Sequence, residues 1–322
     1  MRQKLGKIVK ITIPLFLGII IIYFLYRKTD LNELWRNIKD ANWAILTFSL
    51  IFGLAGNICR GLRWELLIHP LGYKPKRSNL IYAVLGNYAV NFAIPRAGEI
   101  WRCGIVHQKE KIPFAKLIET MLIDRFFDPV MLFIIITLAL VLNTKVFLQN
   151  LHQFQLPAWL TSWYFYVGCL LAVAIIVACL LFFKENFIVK KLREILKIAK
   201  DDLNLLRKMP TKTQFILYSF GIWTGYFLCF YVAFFAFDFT AHLGLSAALF
   251  IFVLGSLSMA IPSNGGLGPW QAAIVFGLCI FAVSKPHAEA FAIGVFAFQS
   301  LWQVLCGLFG IMMLSFQRTQ TK

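Results

Sequence analysis

Apolar residues follow one another along this chain in runs that match the thickness of a lipid bilayer. A helix needs about 20 apolar residues to cross the hydrocarbon core. Six runs approach or exceed that length: residues 8–26, 43–60, 117–143, 163–183, 213–237 and 288–315. Polar and basic stretches separate them. The pattern predicts an all-α integral membrane protein with about six full transmembrane helices.

Two further apolar regions, residues 79–107 and 246–283, are interrupted near their middles. The interruptions read FAIPRAGEIW and MAIPSNGGLGPW, one in each half of the chain. Because proline lacks an amide donor and glycine turns easily, neither region is expected to form one spanning helix. We predict two re-entrant hairpins, or pairs of short broken helices. Their tips contain Pro95 and Gly98 in the first, and Pro262, Gly265, Gly266 and Gly268 in the second.

Basic residues are spread unevenly over the loops and set an orientation. Segments 60–77 and 184–212 are rich in lysine and arginine, which places them in the cytoplasm, whereas 144–162 and 238–245 are expected outside. Both termini are then cytoplasmic, in a protein of the cell (plasma) membrane. The segment 184–212 has apolar residues at helical spacing and is predicted to lie on the inner leaflet as an amphipathic helix.

With that orientation, the order of spans in the first half recurs upside down in the second. The halves comprise about residues 1–143 and 163–315 of a single polytopic domain, 1–322. Inverted repeats with interrupted segments in corresponding places point to a transport site near the middle of the bilayer. The two Ala-Ile-Pro stretches would then be the paired hairpin tips.

Composition excludes several other classes of protein. With 59% hydrophobic and 15% charged residues, the chain is too apolar for a soluble domain. The net charge of +17 is explained by topology and anionic lipid headgroups, so no nucleic-acid partner is expected. The seven cysteines lie in or beside apolar stretches without a C-x-x-C pair, and the five histidines are scattered. We therefore predict no disulfide framework, no metal site and no cofactor.

Charged residues near the first tip are the leading candidates for substrate binding. Ionisable groups at membrane depth are costly and usually face a cavity. Arginine offers a planar fork of donors that suits a phosphodiester, and Glu99 could orient the arginines or carry a proton. The alternative is an interfacial set with an ordinary Glu–Arg pair. The candidates are Asn91, Arg96, Glu99 and Arg102.

A second candidate group, Asp124, Arg125 and Asp128, lies inside the run 117–143. The aspartates are spaced i and i+4 and share a helical face. They could hold a divalent ion or share a proton. Arg125 could also satisfy one of them. We favour a third arrangement, in which they neutralise Arg96 and Arg102 across the hairpin.

The second tip offers polar groups without charge, with Asn264 and Gln271 as binding candidates beside backbone amides. By contrast, Arg60 and Arg63, at the end of the run 43–60, are interpreted as anchors at the inner interface, or as headgroup contacts.

Three motifs together resemble one family. N-x-x-x-P-R-x-G-E-x-x-R at 91–102, acidic-Arg-x-x-Asp at 124–128 and P-x-x-G-G-x-G at 262–268 are similar to the membrane region of lysylphosphatidylglycerol synthases, the multiple peptide resistance factors. The resemblance covers nearly the whole chain. It implies movement of aminoacylated phosphatidylglycerol between leaflets, with synthesis by a separate soluble domain; some relatives are linked to polyprenol-borne sugars. This chain ends at Lys322, so aminoacyl transfer is not carried over.

The sequence therefore favours a lipid flippase or transporter for an anionic or aminoacylated phospholipid, or a polyprenyl-linked lipid. The protein is expected not to be an enzyme, because no obvious catalytic constellation is present. The alternatives are a membrane-embedded transferase with metal at Asp124 and Asp128, and a non-transporting scaffold for a separate lipid synthase. Pro-Trp-Gln follows the last glycine of the third motif, where family members often have a charged residue, so the substrate stays open.

Overall fold

The computed structural model describes residues 30–94, 96–144, 210–261 and 265–317, together with Tyr23 and Ser263. These ranges are helical apart from short turns and contain no strand. Nearly all of them belong to one compact unit, Met1–Leu142 with Thr213–Lys322. The predicted span 8–26 apart from Tyr23, the predicted span 163–183, and almost all of the basic segment 184–212 lie outside the described residues.

Ten α-helices occur in the described ranges. In chain order they are α1 (Leu31–Lys39), α2 (Trp43–Ile68), α3 (Arg77–Ala93), α4 (Ala97–Glu110), α5 (Phe114–Leu142), α6 (Lys212–Phe234), α7 (Asp238–Ala241), α8 (Leu245–Ser258), α9 (Pro269–Ile280) and α10 (Lys285–Phe316). A 3₁₀ turn, His69–Leu71, follows α2 directly.

Four of these helices are long and apolar enough to cross a bilayer: α2 with its 3₁₀ turn, α5, α6 and α10. They correspond to the predicted spans 43–60, 117–143, 213–237 and 288–315. The first of these was predicted too short, because α2 continues to Ile68. Apolar side chains resume after its arginines, with Trp64 and then Leu66–Ile68. At 1.5 Å per residue, the 26 residues of α2 extend about 39 Å.

The first interrupted region forms a hairpin of two short helices. Gly86 of α3 lies against the ring of Trp101 of α4. Asn79, near the start of α3, hydrogen-bonds to Glu110 at the end of α4. The helices therefore run side by side in opposite directions. Gly98 permits their close approach, since a Cβ there would lie 2.6 Å from Asn87 Oδ1.

The second interrupted region is built in the same way from α8 and α9. Gly255 of α8 contacts Trp270 and Ile274 of α9, and Gly277 contacts Ile251. Further from the tip, the rings of Phe250 and Phe281 meet edge to face. This second pair is also antiparallel.

The two hairpins begin at opposite ends of the long helices and meet at their tips. The first opens beside the end of α10, where Lys109 Nζ donates to the carbonyl of Gln317 (2.6 Å). The second opens at the other end, where α10 begins and Gly294 lies near Ile38 of α1. At the tips, a Cβ on Gly265 would lie 2.8 Å from Cε1 of Phe92.

A crossing of small residues joins the two halves of the molecule. Gly53 of α2 lies against Cys229 of α6, and Gly221 of α6 lies against Cys59 of α2. Between these contacts, a Cβ on Gly225 would lie 3.0 Å from the Cα of Gly56. Helices α2 and α6 are therefore antiparallel, and the contacts are nearly two-fold symmetric.

The order long helix, two short helices, long helix occurs twice, in α2–α5 and again in α6 with α8–α10. Neighbours correspond between these halves, because α10 packs against α3 as α5 packs against α8. The antiparallel crossing makes the second copy run opposite to the first. The number of spans, the re-entrant placement of the hairpins and the inverted repeat of the whole chain stay predictions.

Candidate functional site

Seven charged side chains gather in the first half of the molecule, on α2, α4 and α5. We call them the ion cluster: Arg60, Arg63, Glu99, Arg102, Asp124, Arg125 and Asp128. Helical spacing explains the grouping, since Arg60 and Arg63 are one turn apart on α2, as are Asp124 and Asp128 on α5. Two facing pairs of opposite charge are therefore brought together by packing two helices.

The pairs on α2 and α5 are close and nearly free of solvent. Arg63 contacts both carboxylates, with Nη2 at 2.7 Å from Asp124 Oδ1 and 2.8 Å from Asp128 Oδ1. Arg60 Nη1 lies 2.7 Å from Asp128 Oδ2 and 3.8 Å from Asp124 Oδ2. Arg63 and Asp124 have side chains that are 0% exposed. Buried ion pairs are tolerated only where each charged group has hydrogen-bonded partners.

The expectation that Arg60 and Arg63 anchor the inner interface is wrong. Both are buried and form the centre of the ion cluster. The sequence does contain evidence against an interfacial position, because the apolar run should end at an interfacial anchor. Here the apolar positions resume after Arg63 and α2 continues, so the arginines lie inside the helix.

The hairpin helix α4 supplies two further members. Arg102, fully buried, places Nη2 3.4 Å from Asp124 Oδ2 and its guanidinium carbon 4.5 Å from the ring centroid of Trp64. Glu99 contacts Arg125 Nε at 2.7 Å, with both side chains about one third exposed. Arg125 also lies 3.3 Å from Asp128 Oδ2.

The arrangement favoured from the sequence holds for one arginine and fails for the other. Arg102 pairs with Asp124 across the hairpin as expected. Arg96 is exposed, precedes α4 in the left-handed conformation (φ 61°), and makes no ion pair with any residue that the structure describes. Arg60 and Arg63 pair with the two aspartates instead. The pairing of Arg125 with Asp128, left open from the sequence, is present.

A metal at Asp124 and Asp128 gains no support from this geometry. Both carboxylates already contact arginines on α2. Among the described residues, no group of three histidine, cysteine or acidic side chains is placed to hold a metal ion.

The second half contributes hydroxyl groups to the ion cluster. Tyr226 of α6 donates to Asn57 Oδ1 (2.8 Å), shares a 2.7 Å hydrogen bond with the Tyr88 hydroxyl, and accepts from Arg60 Nε (3.3 Å). Ser219 accepts from Arg63 Nη1 (3.2 Å). These hydrogen bonds connect the second half of the molecule to the first at the ion cluster. Tyr226 could not be recognised from the sequence, because a tyrosine in an apolar run is ordinary.

In the second half, the corresponding helices bring aromatic rings together. Phe230 of α6 contacts Trp270 of α9 and Phe291 of α10, with ring centroids 6.1 and 6.0 Å apart. These helices are the counterparts of α2, α4 and α5, which carry the ion cluster. The two halves share a helix arrangement and differ in the chemistry they enclose.

Two residues predicted to bind substrate make capping contacts with the hairpin helices. Asn91 Oδ1 accepts from the backbone N–H of Gly98 (2.8 Å), and Gln271 Oε1 accepts from that of Gly268 (2.7 Å). Each satisfies an amide at the start of a short helix, which otherwise lacks a partner. Their contact with a substrate stays a prediction.

Glycine is required at the second tip, where Gly265, Gly266 and Gly268 have φ values of 60°, 87° and 90°. Side chains are strained in this left-handed region. The remaining tip residues named from the sequence, Pro95, Pro262 and Asn264, lie outside the described residues.

Comparison with known proteins identifies related sequences but no related structure. A family model described as "Lysylphosphatidylglycerol synthase TM region" matches residues 11–307. "Glycosyltransferase AglD" of Haloferax volcanii is 24% identical over 128 residues, 39% of this chain and 20% of that protein. The "UPF0104 membrane protein MJ1595" of Methanocaldococcus jannaschii is 24% identical over 125 residues, 38% of this chain and 37% of that protein. The matches thus span well under half of either relative, and no solved structure matches.

Proposed function

The chain belongs to the lysylphosphatidylglycerol synthase transmembrane-region family, and from that membership and the fold we propose that it moves a lipid between membrane leaflets. Helices suited to spanning a bilayer and the family itself fit a lipid-related role in a membrane. The proposed cargo is an anionic or aminoacylated phospholipid, or a polyprenyl-linked lipid. A separate lipid synthase would supply it.

The observation that carries this proposal is the meeting of the two hairpins. They open at opposite ends of the long helices, and their tips touch at Phe92 and Gly265. α4 and α9 contain 14 and 12 residues, about 21 and 18 Å of helix, so neither would cross a hydrocarbon core of about 30 Å. Re-entrant hairpins in an inverted repeat are typical of transporters that expose one central site to either side in turn.

The distribution of charge supports an orientation for the molecule. One end of the described helices carries the basic residues Lys74, Lys76, Arg77, Lys109, Lys111, Lys116 and Lys212. Among the described residues, the other end carries the basic residues Arg36, Lys39 and Lys285. By the positive-inside rule the first end is cytoplasmic. The first hairpin then enters from the cytoplasm, the second from outside, and both termini are cytoplasmic.

A second candidate function comes from the relative named a glycosyltransferase. The chain would then act in transfer of a sugar on a lipid carrier, as a membrane-embedded transferase or as a scaffold for one. The matched part is a fifth of that relative.

Reconstitution into liposomes separates these functions. We would follow leaflet exchange of fluorescent phosphatidylglycerol, lysylphosphatidylglycerol and a polyprenyl phosphate, in protein-containing and empty vesicles. Exchange above the empty-vesicle rate for at least one lipid is expected, and about tenfold slower exchange for Glu99→Gln, which removes an ion-pair partner of Arg125. Glu119→Gln is the matched control, because that carboxylate is exposed and pairs only with Lys116 among the described residues.

Two results would contradict the proposal. Exchange at the empty-vesicle rate for all three lipids would exclude movement of these lipids. Sugar transfer to the polyprenyl phosphate by the purified chain, without exchange, would favour the second candidate.

A further inference from the structure

Arg102 is an incompletely paired cation inside the ion cluster. Its side chain is 0% exposed, and its nearest carboxylate oxygen is 3.4 Å from Nη2. Nε and Nη1 have no hydrogen-bond partner among the described residues. Arg63 is equally buried, yet donates through Nε, Nη1 and Nη2. The shortage of acceptors is therefore a property of Arg102 and not of burial in general.

A second buried donor without a partner lies on the other helix of the same hairpin. Asn87 of α3 is 0% exposed, and its Nδ2 has no hydrogen-bond partner in the described ranges. Asn87 packs against Gly98 of α4. Gly98 and Arg102 are one turn apart and share a face of α4. The hairpin therefore brings an amide donor and a guanidinium donor toward the same region.

The charges of the ion cluster do not balance. Among the described residues, Arg60, Arg63, Arg102 and Arg125 face only the carboxylates of Glu99, Asp124 and Asp128. One positive charge is left over in a buried place, where uncompensated charge is expensive. The missing group is one that accepts hydrogen bonds and carries negative charge.

We propose that Arg102 and Asn87 bind a phosphate group, on a lipid headgroup or as a free anion. Phosphate oxygens accept hydrogen bonds and make strong charge-assisted bonds to arginine. The indole of Trp64 covers one face of the Arg102 guanidinium and leaves its N–H edges for the ligand. This assignment rests on the proposed function. Arg102 and Asn87 would recognise the phosphate group of the transported lipid, as a phosphodiester or a polyprenyl phosphate.

The binding test uses the full chain purified in dodecyl maltoside, with thermal unfolding followed as lipid is added. The probes are dioleoylphosphatidylglycerol, dioleoylglycerol, which lacks phosphate, and inorganic phosphate. We expect phosphatidylglycerol to raise the melting temperature and dioleoylglycerol to leave it unchanged. A matching effect of inorganic phosphate would identify the site as one for the free anion as well as for the lipid.

Three variants make the test specific. Arg102→Gln should require about tenfold more phosphatidylglycerol for the same stabilisation, because a charge-assisted hydrogen bond is lost. Asn87→Asp supplies a negative charge against Gly98, one helical turn from Arg102, so it should melt at or above the wild-type temperature without lipid and respond little to phosphatidylglycerol. A misfolded variant cannot give that result. Lys116→Gln removes an exposed positive charge and should respond like wild type.

Equal stabilisation by phosphatidylglycerol and dioleoylglycerol would overturn the site, as would full stabilisation in both Arg102→Gln and Asn87→Asp. Water would then satisfy these donors. Leaflet exchange measured on the same proteins separates this inference from the proposed function. Wild-type exchange that Arg102→Gln leaves unchanged would contradict the site alone, whereas specific phosphate binding without any wild-type exchange would contradict the function alone.

Discussion

Gly225 of α6 approaches Gly56 of α2 so closely that a Cβ on Gly225 would lie 3.0 Å from the Cα of Gly56 and 2.7 Å from the carbonyl oxygen of Phe52. These are backbone atoms, which cannot move aside as a flexible side chain can. Small residues at such crossings let membrane helices pack with their backbones in contact. The crossing holds the two halves together, and its geometry leads to two predictions.

Gly225→Ala should destabilise the fold by about 1–3 kcal/mol, because the added methyl group forces α2 and α6 apart. Thermal unfolding in detergent measures the effect. Gly104→Ala is the control, since a Cβ there meets no atom within 4 Å and alanine favours the helix. Similar melting temperatures for the two variants would show that α2 and α6 do not cross at this glycine.

Gly221→Cys and Gly53→Cys should each form a disulfide with the native cysteine opposite. The Cβ positions of residues 221 and 59 are 3.6 Å apart, and those of residues 53 and 229 are also 3.6 Å apart, within the range that disulfides adopt. After oxidation and proteolysis between residues 145 and 209, the halves should stay joined until reduced. The two halves of the Gly104→Cys variant should separate under the same treatment. If the halves rock about this crossing, either disulfide should slow leaflet exchange reversibly.

Asp124→Asn should destabilise the protein by about 3–5 kcal/mol, because it leaves Arg63 and Arg102 buried without their shared carboxylate. Denaturation in detergent is the measurement. Asp238→Asn makes the same change of charge at an exposed position and should have little effect. A loss below 1 kcal/mol for Asp124→Asn would mean that water reaches the ion cluster.

Gly265→Ala should impair leaflet exchange more than it impairs stability. The substitution combines a left-handed φ of 60° with a contact against the Phe92 ring, so it strains one tip and displaces the other. Gly72→Ala isolates the backbone strain, since its φ is 84° and no atom lies within 4 Å of the added Cβ. Exchange equal in the two variants would show that contact between the tips is dispensable.

The orientation of the protein in the membrane is tested with single cysteines, placed at exposed positions at opposite ends of the molecule. In a background without native cysteines, Lys111→Cys should react with an impermeant maleimide only from the cytoplasmic side, and Asp238→Cys only from outside. The positive-inside distribution of the described charges is the physical reason. Labelling of both from one side would contradict the opposed entry of the two hairpins.

The all-helical class and four of the predicted spans could be read from the sequence, because bilayer thickness sets the length of an apolar helix. The interrupted regions were recognisable because Pro/Gly stretches such as the one containing Gly265, Gly266 and Gly268 cannot continue a helix. The end of α2 was missed because the prediction stopped at the first arginine, although apolar residues follow Arg63. Helix ends depend on what covers the polar side chains, which one segment does not reveal.

The ion cluster was predicted less completely, since its members come from three separate helices. Arg102, Asp124 and Asp128 were found because charge inside an apolar run is conspicuous. Arg60 and Arg63 were assigned to the interface because they end the predicted apolar run. Arg96 was assigned to the cluster because it is close to Arg102 in the sequence. Packing of α5 and α6 against α2 buries the first two, and the left-handed turn before α4 leaves Arg96 outside.

The near two-fold crossing of α2 and α6 suggests how such a chain is assembled in evolution. A half-length polypeptide that inserts in both orientations would build the same glycine–cysteine seam from two identical copies, as a self-complementary dimer does. Fusion of the copies frees each to diverge. In such a history, one copy would have gained the ion cluster and the other the ring contacts of Phe230, Trp270 and Phe291, so a symmetric ancestor would become a molecule with two chemically different halves.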